Sequence, residues 1–162
     1  MSENISIRTT IMPGDIGSII KIHGEYYHRN YGFDSTFEPY VAIPLAEFVL
    51  RQDPDERIWI VEQNSTVKGS IAITKIDEDT AQLRWYFLDP ALRGLGIGRE
   101  LIVSALTFTK QREYKKIILW TVDKLDRALS LYIKNGFTLT EEKQHTIWGK
   151  ELNEQCYEKS LP

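Results

Sequence analysis

The stretch Asp89-Pro90-Ala91-Leu92-Arg93-Gly94-Leu95-Gly96-Ile97-Gly98-Arg99-Glu100-Leu101 has the residue types of an anion site. It follows an alternating apolar run, Leu83 to Leu88, that reads as a strand. It leads into Ile97, Leu101, Ala105 and Phe108, an apolar stripe at helical spacing. Three glycines and an arginine therefore stand where a strand ends and a helix begins. Glycine lets the backbone come close to a ligand. The first turn of a helix has N–H groups without intrahelical partners and a partial positive charge. A pyrophosphate suits such a place, and Arg93 adds a full charge beside it. A P-loop would end in Gly-Lys-Ser/Thr, which is absent. A dinucleotide fingerprint needs Gly-x-Gly-x-x-Gly near the start of a βαβ unit. Here the spacing is Gly94-x-Gly96-x-Gly98, far into the chain and after several strand-like segments.

The elements that must position this loop follow from patterning. Ile5 and Ile7 alternate with polar residues as a short first strand. Pro13-Gly14-Asp15 opens a helix with Ile16, Ile19, Ile20, His23 and Tyr27 on one side, ended by Asn30-Tyr31-Gly32. A second helix is expected from about Glu38 to Arg51, with Val41, Leu45 and Phe48 spaced for burial and Gln52-Asp53-Pro54-Asp55 closing it. Ile58 to Val61 and Val67 to Ile76 read as a hairpin around Asn64-Ser65-Thr66. The strand Ala81 to Leu88 comes next, then the glycine loop and a helix to about Arg112. Ile117-Ile118-Leu119-Trp120, within Lys116 to Val122, predicts a strand buried on both faces. Ala128 to Lys134 is a short helix with Gly136 as its left-handed stop. Phe137 to Ile147 and Gln155 to Leu161 are two closing strands. The order is β-α-α-β-β-β-loop-α-β-α-β-β, an α/β chain.

Arg93-Gly94-Leu95-Gly96-Ile97-Gly98 resembles the Arg/Gln-x-x-Gly-x-Gly/Ala acetyl-CoA loop of the GNAT superfamily of N-acetyltransferases. Leu131-Tyr132-Ile133-Lys134-Asn135-Gly136-Phe137 resembles the Leu-Tyr-x-x-x-Gly-Phe signature of the same superfamily, and the element order is similar over nearly the whole chain. Gln82-Leu83-Arg84-Trp85, Leu119-Trp120-Thr121 and Trp148-Gly149 with Glu154-Gln155 also resemble the acetyltransferase half of MarR-type fusion proteins, here without the DNA-binding half. The resemblance implies a mixed, mostly antiparallel sheet of about seven strands flanked by about four helices, in one domain over residues 1–162. It implies acetyl-CoA as co-substrate, held by the backbone of Arg93, Gly94, Leu95, Gly96, Ile97 and Gly98, with Arg99 adding charge. Counting back from Pro90, the strand-end contacts fall at Phe87 and Leu88, with the Leu88 N–H on the acetyl oxygen. Tyr132 corresponds to the tyrosine that serves many members as general acid.

Two positions depart from the family pattern. Leu125 stands where many members have an asparagine, and Gln82 where several have a catalytic glutamate. The base is left among Tyr86, Glu25, His28, His145 and an ordered water. The segment Glu25 to Phe33 mixes aromatic and polar groups in a way that suits a small-molecule pocket, which places Tyr27 at the acceptor. Arg84 shares parity with Gln82, Tyr86 and Leu88, so it is expected on the side of the oxyanion contact. There it can read a carboxylate on an amino-acid-like amine, or pair with an acidic residue across the sheet. The expected function is acetyl transfer to the primary amine of a small molecule. A protein or peptide acceptor, and an acetyl-CoA-binding module without turnover, are the alternatives.

Composition narrows the partners. The chain has 162 residues, 42% of them hydrophobic and 27% charged, which suits one soluble domain. A net charge of −3 favours neither nucleic acid nor membrane surfaces. Cys156 is the one cysteine, so there is no intrachain disulfide and no cysteine-built zinc site; the histidines lack metal-ligand spacing, and no metal is expected. No apolar run approaches the roughly 20 residues of a membrane span. The first residues lack a signal-peptide pattern, so the expected location is the cytoplasm. The resemblance also implies a possible homodimer, with Trp148 and Tyr157 placed either at its interface or in the core.

Overall fold

The alternating apolar runs pair into one sheet, and the helical stripes cover both of its faces. The computed structural model describes residues 4–162. The elements are β1 (Ile5–Arg8), α1 (Asp15–Tyr31), α2 (Phe37–Arg51), β2 (Arg57–Gln63), β3 (Thr66–Lys75) and β4 (Thr80–Leu88). A 3-10 turn (Pro90–Leu92) then leads to α3 (Ile97–Gln111), β5 (Lys116–Val122), α4 (Asp126–Lys134), β6 (Thr138–Ile147) and β7 (Lys150–Ser160). The seven strands lie in the order β1-β2-β3-β4-β5-β7-β6, and every pair is antiparallel except β4–β5. This is the mixed, mostly antiparallel sheet with four helices that the resemblance implied.

Two cores lie back to back across the sheet. On one face, Ile97, Leu101, Ala105 and Phe108 of α3 pack with Ile71, Ile73, Leu83, Leu119 and Tyr132. On the other, Ile19 of α1 and Val41, Leu45 and Phe48 of α2 pack with Ile58, Ile60 and Trp85. Burying a side chain such as Leu45 or Leu101, both 0% exposed, contributes about 1.5–3 kcal/mol each.

Three sequence expectations change. β7 starts at Lys150, not at Gln155, because Trp148 and Gly149 both take positive φ and make a two-residue hairpin turn that pairs Ile147 with Lys150. The polar Glu151, Asn153 and Glu154 masked that first half as a strand. β5 is not buried on both faces: Ile118 and Trp120 are half-buried, because β4 leaves β5 beyond Gln82. The choice between interface and core narrows for one of Trp148 and Tyr157, since Trp148 is half-buried and Tyr157 buried. Tyr157 is in the core, and Trp148 packs on Phe33, Phe37 and Tyr40.

The fourth change bears on the site. The β3–β4 register slips between Ser70 and Ala72, and Trp85 sits at φ +51°, in the left-handed region. The Ser70 hydroxyl donates to the Trp85 carbonyl at 2.6 Å, fixing the bulge. Alternation therefore breaks at Trp85. Trp85 packs with α2 through Phe48, and the Arg84 guanidinium lies over the Trp85 ring at 5.0 Å. Tyr86 and Leu88 pack with the α3 core. Arg84 thus faces the α1–α2 side, opposite Tyr86 and Leu88, and the shared parity expected for these residues does not hold.

Leu101→Ala is expected to lower the unfolding free energy by about 2–5 kcal/mol, since it removes a fully buried side chain from the α3 seam. Urea denaturation followed by circular dichroism measures this.

Candidate active site

β4 and β5 are paired only from Thr80 to Gln82 against Lys116 to Ile118. Beyond that the two strands diverge, and the second half of β4 has β3 as its one neighbour. The Asp89 N–H donates to the Lys68 carbonyl on the β3 side at 2.8 Å. Backbone groups alternate sides along a strand, so the Leu88 N–H points the other way, into the gap. An amide there has no strand to pair with.

The glycine loop sits at the mouth of this gap. Gly94 and Gly96 take φ +81° and +80°, and Gly96 is the N-cap of α3. A Cβ built on either would meet nothing within 4 Å. The requirement at these two positions is therefore backbone conformation, and the space in front of them is open. Arg93, Gly94, Gly96, Gly98 and Arg99 line a cleft of about 590 Å³, with Arg127, Ser130 and Lys134 of α4 on its far wall. Gly98 answers a different need: a Cβ there would come within 2.8 Å of the Tyr86 hydroxyl, so its absence lets Tyr86 lie against the first turn of α3. Arg93 donates from Nη2 to the Tyr26 hydroxyl at 2.8 Å, tying α1 to the loop. Leu95 is 61% exposed and Ile97 is in the core; neither side chain is on the cleft wall. Open glycine backbone, unpaired first-turn N–H groups and several cations together fit a pyrophosphate-bearing molecule.

On the α1–α2 side lies a second cavity, of about 110 Å³. The two spaces share Tyr27, Tyr86, Leu125 and Ala128, so they meet where β4 and β5 part. Tyr132 of α4 lines the inner cavity, buried and edge-on to Tyr86 at 6.2 Å and to Phe137 at 6.0 Å. Burial pushes its phenol well above its ordinary value, so it stays protonated through neutral pH. Burial likewise raises the Tyr27 and Tyr86 phenols. Phe87 turns to α1, edge-on to Tyr26 at 5.2 Å. Leu125 is an apolar wall to both spaces.

Arg84 is half-buried in the inner cavity and has no hydrogen bond or ion pair among the described residues. The alternative of a cross-sheet acidic partner is therefore excluded for the described residues. Burial pulls its guanidinium below its ordinary value without discharging it. Tyr40 and Trp148 wall the same cavity, and Glu154 of β7 reaches it from across the sheet. Tyr40, Trp148, Glu154 and the buried His23 were missed in the sequence as site residues, because nothing local to each connects it to the glycine loop. Of the candidate bases, Glu25 is exposed, 3.9 Å from Lys21, and His28 bonds through Nδ1 to the Phe33 carbonyl at 2.8 Å. Neither lines either space, so both are withdrawn. His145 lines neither but lies 3.4 Å from Glu154, and Tyr86 lines both. No cluster of three or more His, Cys, Asp or Glu side chains among the described residues is placed to hold a metal ion, and no helix among them is long and apolar enough to cross a membrane.

Residues 18–137 match the family model of the GNAT acetyltransferases. The chain belongs to the GNAT acetyltransferase family. It is therefore an acyltransferase by family, and the glycine loop, the strand gap and Tyr132 all lie within the matched span. It is 28% identical over 145 residues to an uncharacterized N-acetyltransferase of Schizosaccharomyces pombe, covering 88% of both chains. It is 28% identical over 97 residues to N-acetyltransferase 8 of Homo sapiens, covering 57% of this chain but 43% of that protein. The fold superposes on yncA of Salmonella typhimurium, solved with its cofactor acetyl-CoA, at a TM-score of 0.77 and 18% identity, covering 98% of this chain and 94% of that one.

Gly96→Trp is expected to leave the circular dichroism spectrum unchanged, at a stability cost of about 1–2 kcal/mol for a left-handed non-glycine residue. It is expected to abolish acetyl-CoA binding in calorimetric titration, since the indole fills the open space before the loop. Unchanged affinity would remove the loop from the site.

Proposed function

We propose that this GNAT acyltransferase moves the acetyl group of acetyl-CoA to the primary amine of a small, amino-acid-like molecule, by direct attack with both substrates bound. The observation that carries this reading is the strand gap, which joins a cation-lined glycine cleft to a small cavity holding an unpaired arginine. Acetyl-CoA supplies the activated acyl group as a thioester.

The backbone of Arg93, Gly94, Leu95, Gly96, Ile97 and Gly98 binds the pyrophosphate, and Arg99 adds charge at the start of α3. Phe87 and Leu88 bound the reacting end, and the Leu88 N–H donates to the acyl oxygen as negative charge gathers there. Tyr132 gives its hydroxyl proton to the departing sulfur. Its buried, protonated state supports that role. Tyr27 and Tyr86 shape the junction of the two spaces, and Arg84 binds the carboxylate of the acceptor. The departures at Gln82 and Leu125 leave cofactor contact to the backbone and proton removal to another group. The small size of the inner cavity and its aromatic walls favour a free small molecule over a peptide acceptor.

Tyr132→Phe is expected to lower the acetylation rate by about 100-fold or more with acetyl-CoA affinity kept, measured by thiol release. A rate within about threefold of wild type would remove the acid role. In a panel of amino acids, polyamines and aminoglycosides, turnover is expected on amino acids, with KM raised at least tenfold by Arg84→Gln. Turnover on polyamines alone would remove the carboxylate-bearing acceptor.

A further inference from the structure

Among the described residues, four buried polar side-chain atoms have no hydrogen-bond partner: His23 Nε2, Thr121 Oγ1, His145 Nε2 and Gln155 Oε1. His23 and Thr121 line the inner cavity. Gln155 is the register partner of Thr121 on the next strand. His145 Nε2 has the Glu154 carboxylate 3.4 Å away, and His145 and Gln155 do not themselves line the cavity. Buried polar atoms in proteins are nearly always paired. The exceptions at His23 and Thr121, both on the lining of one cavity, point to a polar occupant that supplies the partners.

Of the two, His23 can take a proton. It is 4% exposed. Its Nδ1 lies 2.8 Å from the Ile19 carbonyl oxygen, which can only accept. The proton therefore sits on Nδ1, and Nε2 presents a bare lone pair. The ring stacks on Tyr27 at 5.9 Å and stands 5.9 Å from Phe87, the residue before the Leu88 amide. So a fixed, neutral imidazole stands on the acceptor side of the strand gap, oriented by a backbone carbonyl as a base is oriented by a third group.

We propose that His23 is a catalytic residue whose Nε2 accepts the hydrogen bond, and then the proton, of the acceptor amine. This rests on the acetyl-transfer reading above. The amine lone pair forms the C–N bond to the acyl carbon, and its N–H proton passes to His23 Nε2. The C–S electron pair goes to sulfur, which takes the Tyr132 hydroxyl proton. Imidazolium and phenolate then return to neutral by proton exchange through solvent. Burial holds the imidazole down to about 4, so Nε2 is free at neutral pH. As the C–N bond forms, the nitrogen becomes far more acidic than a free ammonium, which suits transfer to a weak base.

The test uses His23→Asn and His23→Gln, with the exposed Glu25→Gln as control, and acetyl-CoA with the amine panel. Nitrogen-15 NMR of the wild-type protein is expected to show His23 protonated at Nδ1 and neutral from pH 8 to about pH 5, above its lowered value. The Nε2–H tautomer, or an ordinary titration near 6.5, would overturn the proposal without any turnover being measured. In thiol release, both His23 variants are expected to lose about 100-fold or more in kcat, with acetyl-CoA affinity and the KM of the control unchanged. Wild-type transfer with both His23 variants within threefold would remove His23 and leave the acetyl-transfer reading standing. Wild-type transfer to no amine would remove both.

Discussion

Everything at the site depends on how briefly β4 and β5 are paired. Three residues of each strand hydrogen-bond, and then each strand follows a different partner. β4 stays with β3 to its end, while β5 is held along its whole length by β7. The sheet is thus two halves joined by a short parallel contact. In a continuous sheet the backbone of Phe87 and Leu88 would be consumed by a neighbour. Here half of it is left for a ligand, and unpaired backbone groups need a partner. The same divergence opens a passage from the α3–α4 face to the α1–α2 face, so two substrates can approach one point from opposite sides.

The bulge at Trp85 distributes the side chains around that passage. With strict alternation, Arg84, Tyr86 and Leu88 would point one way and Trp85 and Phe87 the other. The register slip at Ser70–Ala72 puts Arg84 and Trp85 on the same face. Arg84 becomes the one guanidinium of the inner cavity, and Tyr86 rests against Gly98 beneath the glycine loop. Strain at one non-glycine residue with positive φ, on the order of 1–3 kcal/mol, is offset by burial of the Trp85 ring against Phe48. Around this frame the cavity holds His23 and Thr121, whose buried polar atoms the chain itself does not satisfy, while the tyrosines near it are held protonated by burial.

The features legible in the sequence were those whose physics is local. Gly94 and Gly96 sit in left-handed conformations that a strand-to-helix loop demands, and α3 starts where the apolar stripe begins. The β-α-α-β-β-β order followed from period and punctuation. The features that escaped depend on residues far apart in the chain. The first half of β7 is polar because it borders β6, an exposed edge strand, and only the Trp148–Gly149 turn reveals it. His23 reads as one more residue on the inner stripe of α1. Its loose Nε2 appears only when Phe87 and Tyr27 close around it and offer no partner.

The sequence by itself determined the elements, their order, the anion loop and the tyrosine of α4, because periodicity, turn chemistry and short motifs act over a few residues. The tertiary structure decided which side of the sheet each β4 side chain serves, which charges stay unpaired and where the two cavities meet. A single register slip reverses a whole face, and no local pattern announces it. Pairing or isolation of Arg84 and His23 is likewise a property of what α1, α2 and β7 bring to the same few ångströms.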